Sequence, residues 1–239
     1  NAITVKAAIY AGTTTYPLTF NGASTVTIPA GGRAITDLTA IPELAALGVE
    51  FTTMTYVTQP SGQSGNMWQT AHMFSESGEG IWQGDDRTDA YTSPWFAGVG
   101  LTGYGPTLIL GSRTDKTAPV VAIIGDSILA GANDKNPTTG NRANIGWAER
   151  ACMSNGYGMV KIASSGDRAH LFVTTGGSQY RLPLAAGCTH AITNYGINDA
   201  IVGRTAAQIK ADLDAIWATL SGMGMQVWQA TITPRSTST

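Results

Sequence analysis

The sequence predicts an α/β fold over residues 116–239, preceded by an all-β module over residues 1–115. Three observations carry this. After residue 116, four apolar runs alternate with helix-like stretches, the pattern of a parallel sheet with helices on both faces. Before it, short β-rich runs are broken by Gly, Pro, Asn and Ser. The change falls at a polar linker, Ser112-Arg113-Thr114-Asp115-Lys116.

In the first module, Ile3–Ala11, Thr25–Ile28, Val49–Thr58 and Thr107–Leu110 read as strands. A short helix fits Ile41–Leu47, with Pro42 in its first turn and Gly48 as its stop. A sandwich or jelly-roll-like arrangement suits such a series. In the second part, the strands are Val120–Ile124, Met159–Ala163, His190–Tyr195 and Gln226–Ile232. The first is apolar and β-branched without alternation, as a strand buried on both faces requires. The helix over Ala206–Leu220 places Ala206, Ile209, Leu213, Ile216, Trp217 and Leu220 on one face. Thr205 and Gln208 form its capping box, and Gly222 and Gly224 end it. A second helix around Ile145–Ser154 is expected to bury Trp147, Ala148 and Ala151.

Composition limits the function classes. Of 239 residues, 43% are hydrophobic and 13% charged, a globular balance. Fourteen Lys and Arg against 16 Asp and Glu leave a net charge of −2, with no basic run, so neither nucleic acid nor an anionic membrane is an expected partner. No apolar segment approaches the roughly 20 residues of a membrane helix. The chain begins at Asn1 without a signal peptide, which suits a processed or trimmed form. Few lysines and many Thr, Ser and Gly residues point to a secreted or extracellular setting. Two cysteines, Cys152 and Cys188, are too few for a zinc cluster or a disulfide scaffold, and no cofactor motif is present. Buried free thiols are the simpler expectation, with one disulfide open to an exported protein.

The chemistry gathers at three strand ends. Val120 to Gly131 reads VVAIIGDSILAG, so Ser127 follows a buried strand and a glycine turn at Gly125. At the carboxyl edge of an α/β sheet, where such sheets bind ligands, Ser127 is a candidate nucleophile; a serine there also suits a helix cap. Ser165-Gly166-Asp167 follows the second strand and Gly196-Ile197-Asn198-Asp199 the third. Taken singly, Gly166 suits a plain turn and Asn198 a turn or cap. Parallel strands bring all three loops to one sheet edge.

These blocks, in this order, resemble the SGNH (GDSL-type) hydrolases: Gly125-Asp126-Ser127, then Gly166, then Gly196 to Asp199. The resemblance covers residues 118–239 and does not extend to 1–115. It implies a three-layer, flavodoxin-like α/β/α domain. It further implies that Ser127 attacks an ester carbonyl. The backbone N–H groups of Ser127 and Gly166 and the side-chain amide of Asn198 would hold the oxyanion. Such donors stabilise charge that develops only in the transition state. Glycine lets a backbone donor approach closely, and an asparagine amide donates without adding charge. Asp126, Gly196 and Asp199 are expected to support the loops, the two carboxylates by hydrogen bonding.

A serine nucleophile needs a base, commonly a histidine oriented by a carboxylate. The family supplies both from an Asp-x-x-His block near the C-terminus, and none of His72, His170 and His190 is read as part of such a block. His190 begins the third strand, roughly 25 Å from its catalytic end at about 3.3 Å per residue. His170 reads as a polar surface residue, and His72 belongs to the β module. The domain is therefore expected to be incomplete at its C-terminus. The base and its carboxylate would lie on a separate C-terminal fragment, released by a cut near Ser236–Thr239.

The leading reading is a serine esterase of small acyl esters, including O-acetyl groups on carbohydrate. Trp68, Trp82, Tyr91, Trp95 and Tyr104 of the β module could stack on sugar rings, although aromatics of this kind also fill sandwich cores. Lipase or thioesterase chemistry is the same-class alternative. The competing class is a non-catalytic glycan-binding or structural protein with a degenerate hydrolase domain.

Overall fold

A computed structural model of the chain describes residues 2–45, 49, 51–59, 86, 88–89, 105–112, 117–134, 145–174 and 177–233. The chain divides into two compact units, Asn1–Ile109 and Leu110–Thr239.

The first unit holds an antiparallel sheet of β1 (Ile3–Ala11), β2 (Thr14–Leu18), β3 (Val26–Ile28) and β4 (Phe51–Thr58). The long strand β1 is central. Its one edge pairs with β4 from Thr4↔Thr58 to Ala11↔Phe51. Its other edge is shared by β2, along Ala7 to Ala11, and β3, along Ile3 to Val5. Pro17 sits on β2 at the sheet border, where a missing N–H removes no needed ladder bond. Val5, Ala8, Ala11 and Met54 are buried.

Two expectations for this unit change. Residues Thr107–Leu110 form no strand, and Ile109 and Leu110 are exposed. Gly105, Pro106 and Gly111 close in on that short run and leave too few residues for a ladder. The helix expected at Ile41–Leu47 is one 3₁₀ turn, Pro42–Ala45; residues 46–48 lie outside the described residues. So do His72, Trp68, Trp82, Tyr91, Trp95 and Tyr104.

The second unit is a parallel sheet of β5 (Val120–Ile124), β6 (Gly158–Lys161), β7 (His190–Thr193) and β8 (Gln226–Gln229), in the order β6-β5-β7-β8. That is the flavodoxin-like order, in which the chain steps from β5 to one side and then returns to the other. The carboxyl end of β5 is therefore the switch point, with β6 and β7 ending beside it.

Among the described residues, five α-helices accompany the sheet: α1 (Trp147–Ser154), α2 (Ala169–Thr174), α3 (Gly177–Arg181), α4 (Ile197–Ile201) and α5 (Ala206–Gly222). Alternate residues of β5 go to opposite layers. Ala122 and Ile124 pack with Phe172 of α2 and Ile209, Leu213, Ile216 and Leu220 of α5. Val121 and Ile123 pack with Leu129 and with Ala148 and Cys152 of α1. Burying each of the large aliphatic side chains contributes about 1.5–3 kcal/mol.

The capping box of α5 forms as its sequence predicts: the Gln208 N–H donates to Thr205 Oγ1 at 3.3 Å, and the Thr205 N–H to Gln208 Oε1 at 2.9 Å. Its buried face is Ile209, Leu213, Ile216 and Leu220; Ala206 is exposed and Trp217 half-buried. In α1 the expected face is corrected. Ala148 and Cys152 are buried, four residues apart on one side, while Trp147 and Ala151 are exposed.

Cys152 and Cys188 are both free and buried, and they lie in the cores on opposite faces of the sheet. The sheet separates them, so no disulfide joins them in this fold. Burial pushes both thiols above their usual range. We expect negligible thiol labelling of the native protein, full labelling of both in denaturant, and a melting temperature unaffected by reductant.

Candidate active site

Ser127 sits in the turn that leaves β5. The Ala130 N–H donates to the Asp126 carbonyl at 2.9 Å, and the Ala132 N–H to the Ser127 carbonyl at 2.9 Å. These close a short coil rather than a regular helix, so Ser127 caps nothing. Its half-buried hydroxyl has no hydrogen-bond partner among the described residues.

Asp126 holds this turn. Fully buried, its Oδ1 accepts from the Ile128 N–H at 2.9 Å and from Asn194 Nδ2 at 2.8 Å. Its own N–H donates to Asn194 Oδ1 at 3.0 Å, so Asp126 and Asn194 bind each other reciprocally. The other oxygen, Oδ2, is buried without a hydrogen-bond partner. Burial pushes the Asp126 carboxyl above its ordinary value and the charges of Asp167 and Asp199 add to this, while the bonds from Ile128 and Asn194 oppose it. Gly125 is required here for a reason the sequence conceals. Its φ is not positive; instead, a Cβ would stand 1.8 Å from Asn194 Oδ1.

The second loop follows β6 and is tied to β5 by the Ser164 N–H, which donates to the Gly125 carbonyl at 2.9 Å. Gly166 has φ +76°, and a Cβ there would meet nothing within 4 Å. Within the protein itself its glycine serves backbone conformation. The neighbouring Asp167 carboxylate takes Arg181 Nη2 at 2.6 Å, Tyr195 Oη at 2.7 Å and the Arg168 N–H at 3.0 Å. Arg181 also donates to the Ile162 carbonyl at 3.0 Å and lies 4.9 Å above the Phe172 ring. Burial, reinforced by Asp167, holds the Tyr195 phenol far above its usual range, so it stays a donor.

The third loop begins at Gly196, with φ +133° and a Cβ position 2.4 Å from Ile232 Cδ1. The sequence suggests Asn198 in a turn or cap before α5; it lies instead in the first turn of α4. Asn198 Nδ2 donates to the Asp167 carbonyl at 2.9 Å, which locks the third loop to the second. Asp199 is fully buried and accepts from the Ala169 and His170 N–H groups at 3.0 and 3.2 Å. It thus caps the start of α2, the helix that follows Gly166.

Three sequence-distant blocks therefore meet at one edge of the sheet. The polar atoms that join them are paired. The Ser127 hydroxyl, the Ser127 N–H and the Gly166 N–H have no acceptor among the described residues. Asn198 Nδ2 carries two hydrogens, and one suffices for Asp167. Among the described residues no group of three or more His, Cys, Asp or Glu side chains could hold a metal ion.

The histidines do not join this edge. His190 starts β7; its Nδ1 pairs with Thr189 Oγ1 at 2.7 Å, and its ring stacks on Trp228 at 5.1 Å. Asp167 and His170 do carry the Asp-x-x-His spacing, although far from the C-terminus. The structure separates their roles. Asp167 is occupied by Tyr195 and Arg181, whereas His170 Nδ1 lies 3.7 Å from Asp212 of α5 and makes no hydrogen bond.

Sequence reading missed Asn194, Tyr195 and Arg181, which hold the two loops. Asn194 left one usable signal: an amide directly after an apolar strand needs a buried partner.

Neither a family model nor a curated protein matches this chain. Solved structures do. A psychrotrophic esterase, EstA from Pseudoalteromonas sp., is 18% identical over 46% of this chain and 58% of its own, with a TM-score of 0.35. A structure of TesA is 22% identical over the same shares, 46% and 58%, with a TM-score of 0.35. The protein YxiM from Bacillus subtilis is 14% identical over 97% of this chain and 54% of its own, with a TM-score of 0.40. The chain thus spans 54–58% of the length of these structures.

Proposed function

We propose that the second unit is a serine ester hydrolase domain of the SGNH type, acting through an acyl-enzyme on Ser127. One observation carries this reading: the Ser127 hydroxyl and the backbone N–H groups of Ser127 and Gly166 have no partner among the described residues, and Asn198 Nδ2 has a second hydrogen to spare, at one switch point. Ser127 Oγ attacks the ester carbonyl as its proton passes to a base. The Ser127 N–H, the Gly166 N–H and the Asn198 amide donate to the oxyanion. Collapse expels the alcohol, and water then attacks acyl-Ser127 by the same route. The base and its carboxylate lie outside the described residues, on a segment carrying Asp-x-x-His, because the His170 ring faces Asp212 of α5 and the His190 ring stacks on Trp228.

The substrates proposed are small acyl esters, including O-acetyl groups on carbohydrate, met outside the cell. Incubation with a p-nitrophenyl alkylphosphonate, followed by peptide mass spectrometry, tests the nucleophile. A single adduct on Ser127 is expected. A protein that stays unmodified with the Asp-x-x-His segment present would favour the non-catalytic binding role. Asn198→Ala should slow ester turnover by about 10²–10³-fold through loss of one oxyanion donor, with KM little changed.

A further inference from the structure

We infer that Asn194 is the positioning residue that sets Ser127 in register with the oxyanion donors, through its reciprocal pair with Asp126. The inference rests on Ser127 being the nucleophile. Asn194 directly follows β7, four residues before Asn198, so one short stretch of chain carries both the brace of the Ser127 turn and a proposed oxyanion donor.

The bracing needs a neutral planar group that both accepts and donates. Asn194 Oδ1 takes the Asp126 N–H at 3.0 Å while its Nδ2 gives to Asp126 Oδ1 at 2.8 Å. Only a side chain offering an acceptor and a donor from one planar group does both. The pair is buried, and Gly125 leaves Asn194 the space it occupies. Asp126 Oδ1 also receives the Ile128 N–H, so the bond from Asn194 reaches the backbone on both sides of Ser127. Reacting groups displaced by about 1 Å lose on the order of 10²-fold in rate, so a brace at this point acts on the chemical step.

The charged groups that face Asp126 are Asp167, itself paired with Arg181, and Asp199, bound to the start of α2. All the nearby uncompensated charge is negative. An Asn194→Asp variant would set a second carboxylate against Asp126, and the two would then need to share one proton. The bond from position 194 to Asp126 would exist only in the protonated pair.

The test is phosphonate inactivation of the protein with its Asp-x-x-His segment present, resolved into kinact and KI, with circular dichroism as a check of folding. Asn194→Ala is expected to lower kinact about 10-fold or more while KI stays within about 3-fold. For Asn194→Asp, the rate relative to wild type should rise about 10-fold from pH 8 to pH 5, as the shared proton restores the bond. A folded Asn194→Ala with unchanged kinact overturns the inference. Should that variant not fold, a ratio for Asn194→Asp that stays flat with pH overturns it equally. A wild-type protein never modified at Ser127, with the Asp-x-x-His segment present, would instead sink the nucleophile assignment beneath it.

Discussion

Ser127→Ala should abolish ester turnover, by at least about 10⁴-fold in kcat, and leave stability within about 0.5 kcal/mol of wild type. The two halves of this expectation have separate grounds. The hydroxyl makes no hydrogen bond among the described residues, so its removal orphans no partner. The backbone of the turn is held by Asp126 and Asn194, which the substitution leaves in place. Steady-state hydrolysis of p-nitrophenyl acetate, beside a urea melt, measures both. A serine that were structural would show the reverse: a lower midpoint and an unchanged rate.

Gly125→Ala should strongly destabilise the second unit. Its Cβ would stand 1.8 Å from Asn194 Oδ1 and 2.9 Å from Leu129 Cδ1. The leucine methyl can rotate away, but the amide oxygen cannot retreat without breaking the pair with Asp126. Overpacking of about 1–3 kcal/mol therefore combines with about 1–3 kcal/mol for buried polar groups left unpaired. Such a loss is a large part of the 5–15 kcal/mol that typically stabilises a domain. Equilibrium urea unfolding would report it. Removing the obstacle provides a control: in an Asn194→Ala background the penalty should shrink by about 1 kcal/mol or more. An unchanged penalty would show that the clash with Asn194 is not its source.

The parallel sheet was legible because its strands are short apolar runs separated by amphipathic stretches, and β5 in particular has no exposed face to encode. Helix α5 was legible because its capping box and apolar face are local. The face of α1 was not. The apolar residues Trp147 and Ala151 share its sequence with Ala148 and Cys152, and only the direction of approach to β5 selects between them. The segment Thr107–Leu110 misled because it has β-prone residues yet no partner ladder among those described.

Which polar residues stand at the carboxyl edge of the sheet was fixed locally: a serine, a glycine and an asparagine at the ends of successive strands. Strand periodicity and turn glycines are local properties, so they survive without coordinates. Only the tertiary structure decided how those residues are held. Asn194 reaches Asp126 across 68 positions of sequence, Asn198 reaches Asp167 across 31, and Asp199 reaches Ala169 across 30. It also decided that Asp167 and His170, three apart in sequence, serve different neighbours. Buried polar groups must find partners, but the partner is chosen by where the chain crosses itself, and spacing along a strand does not contain that.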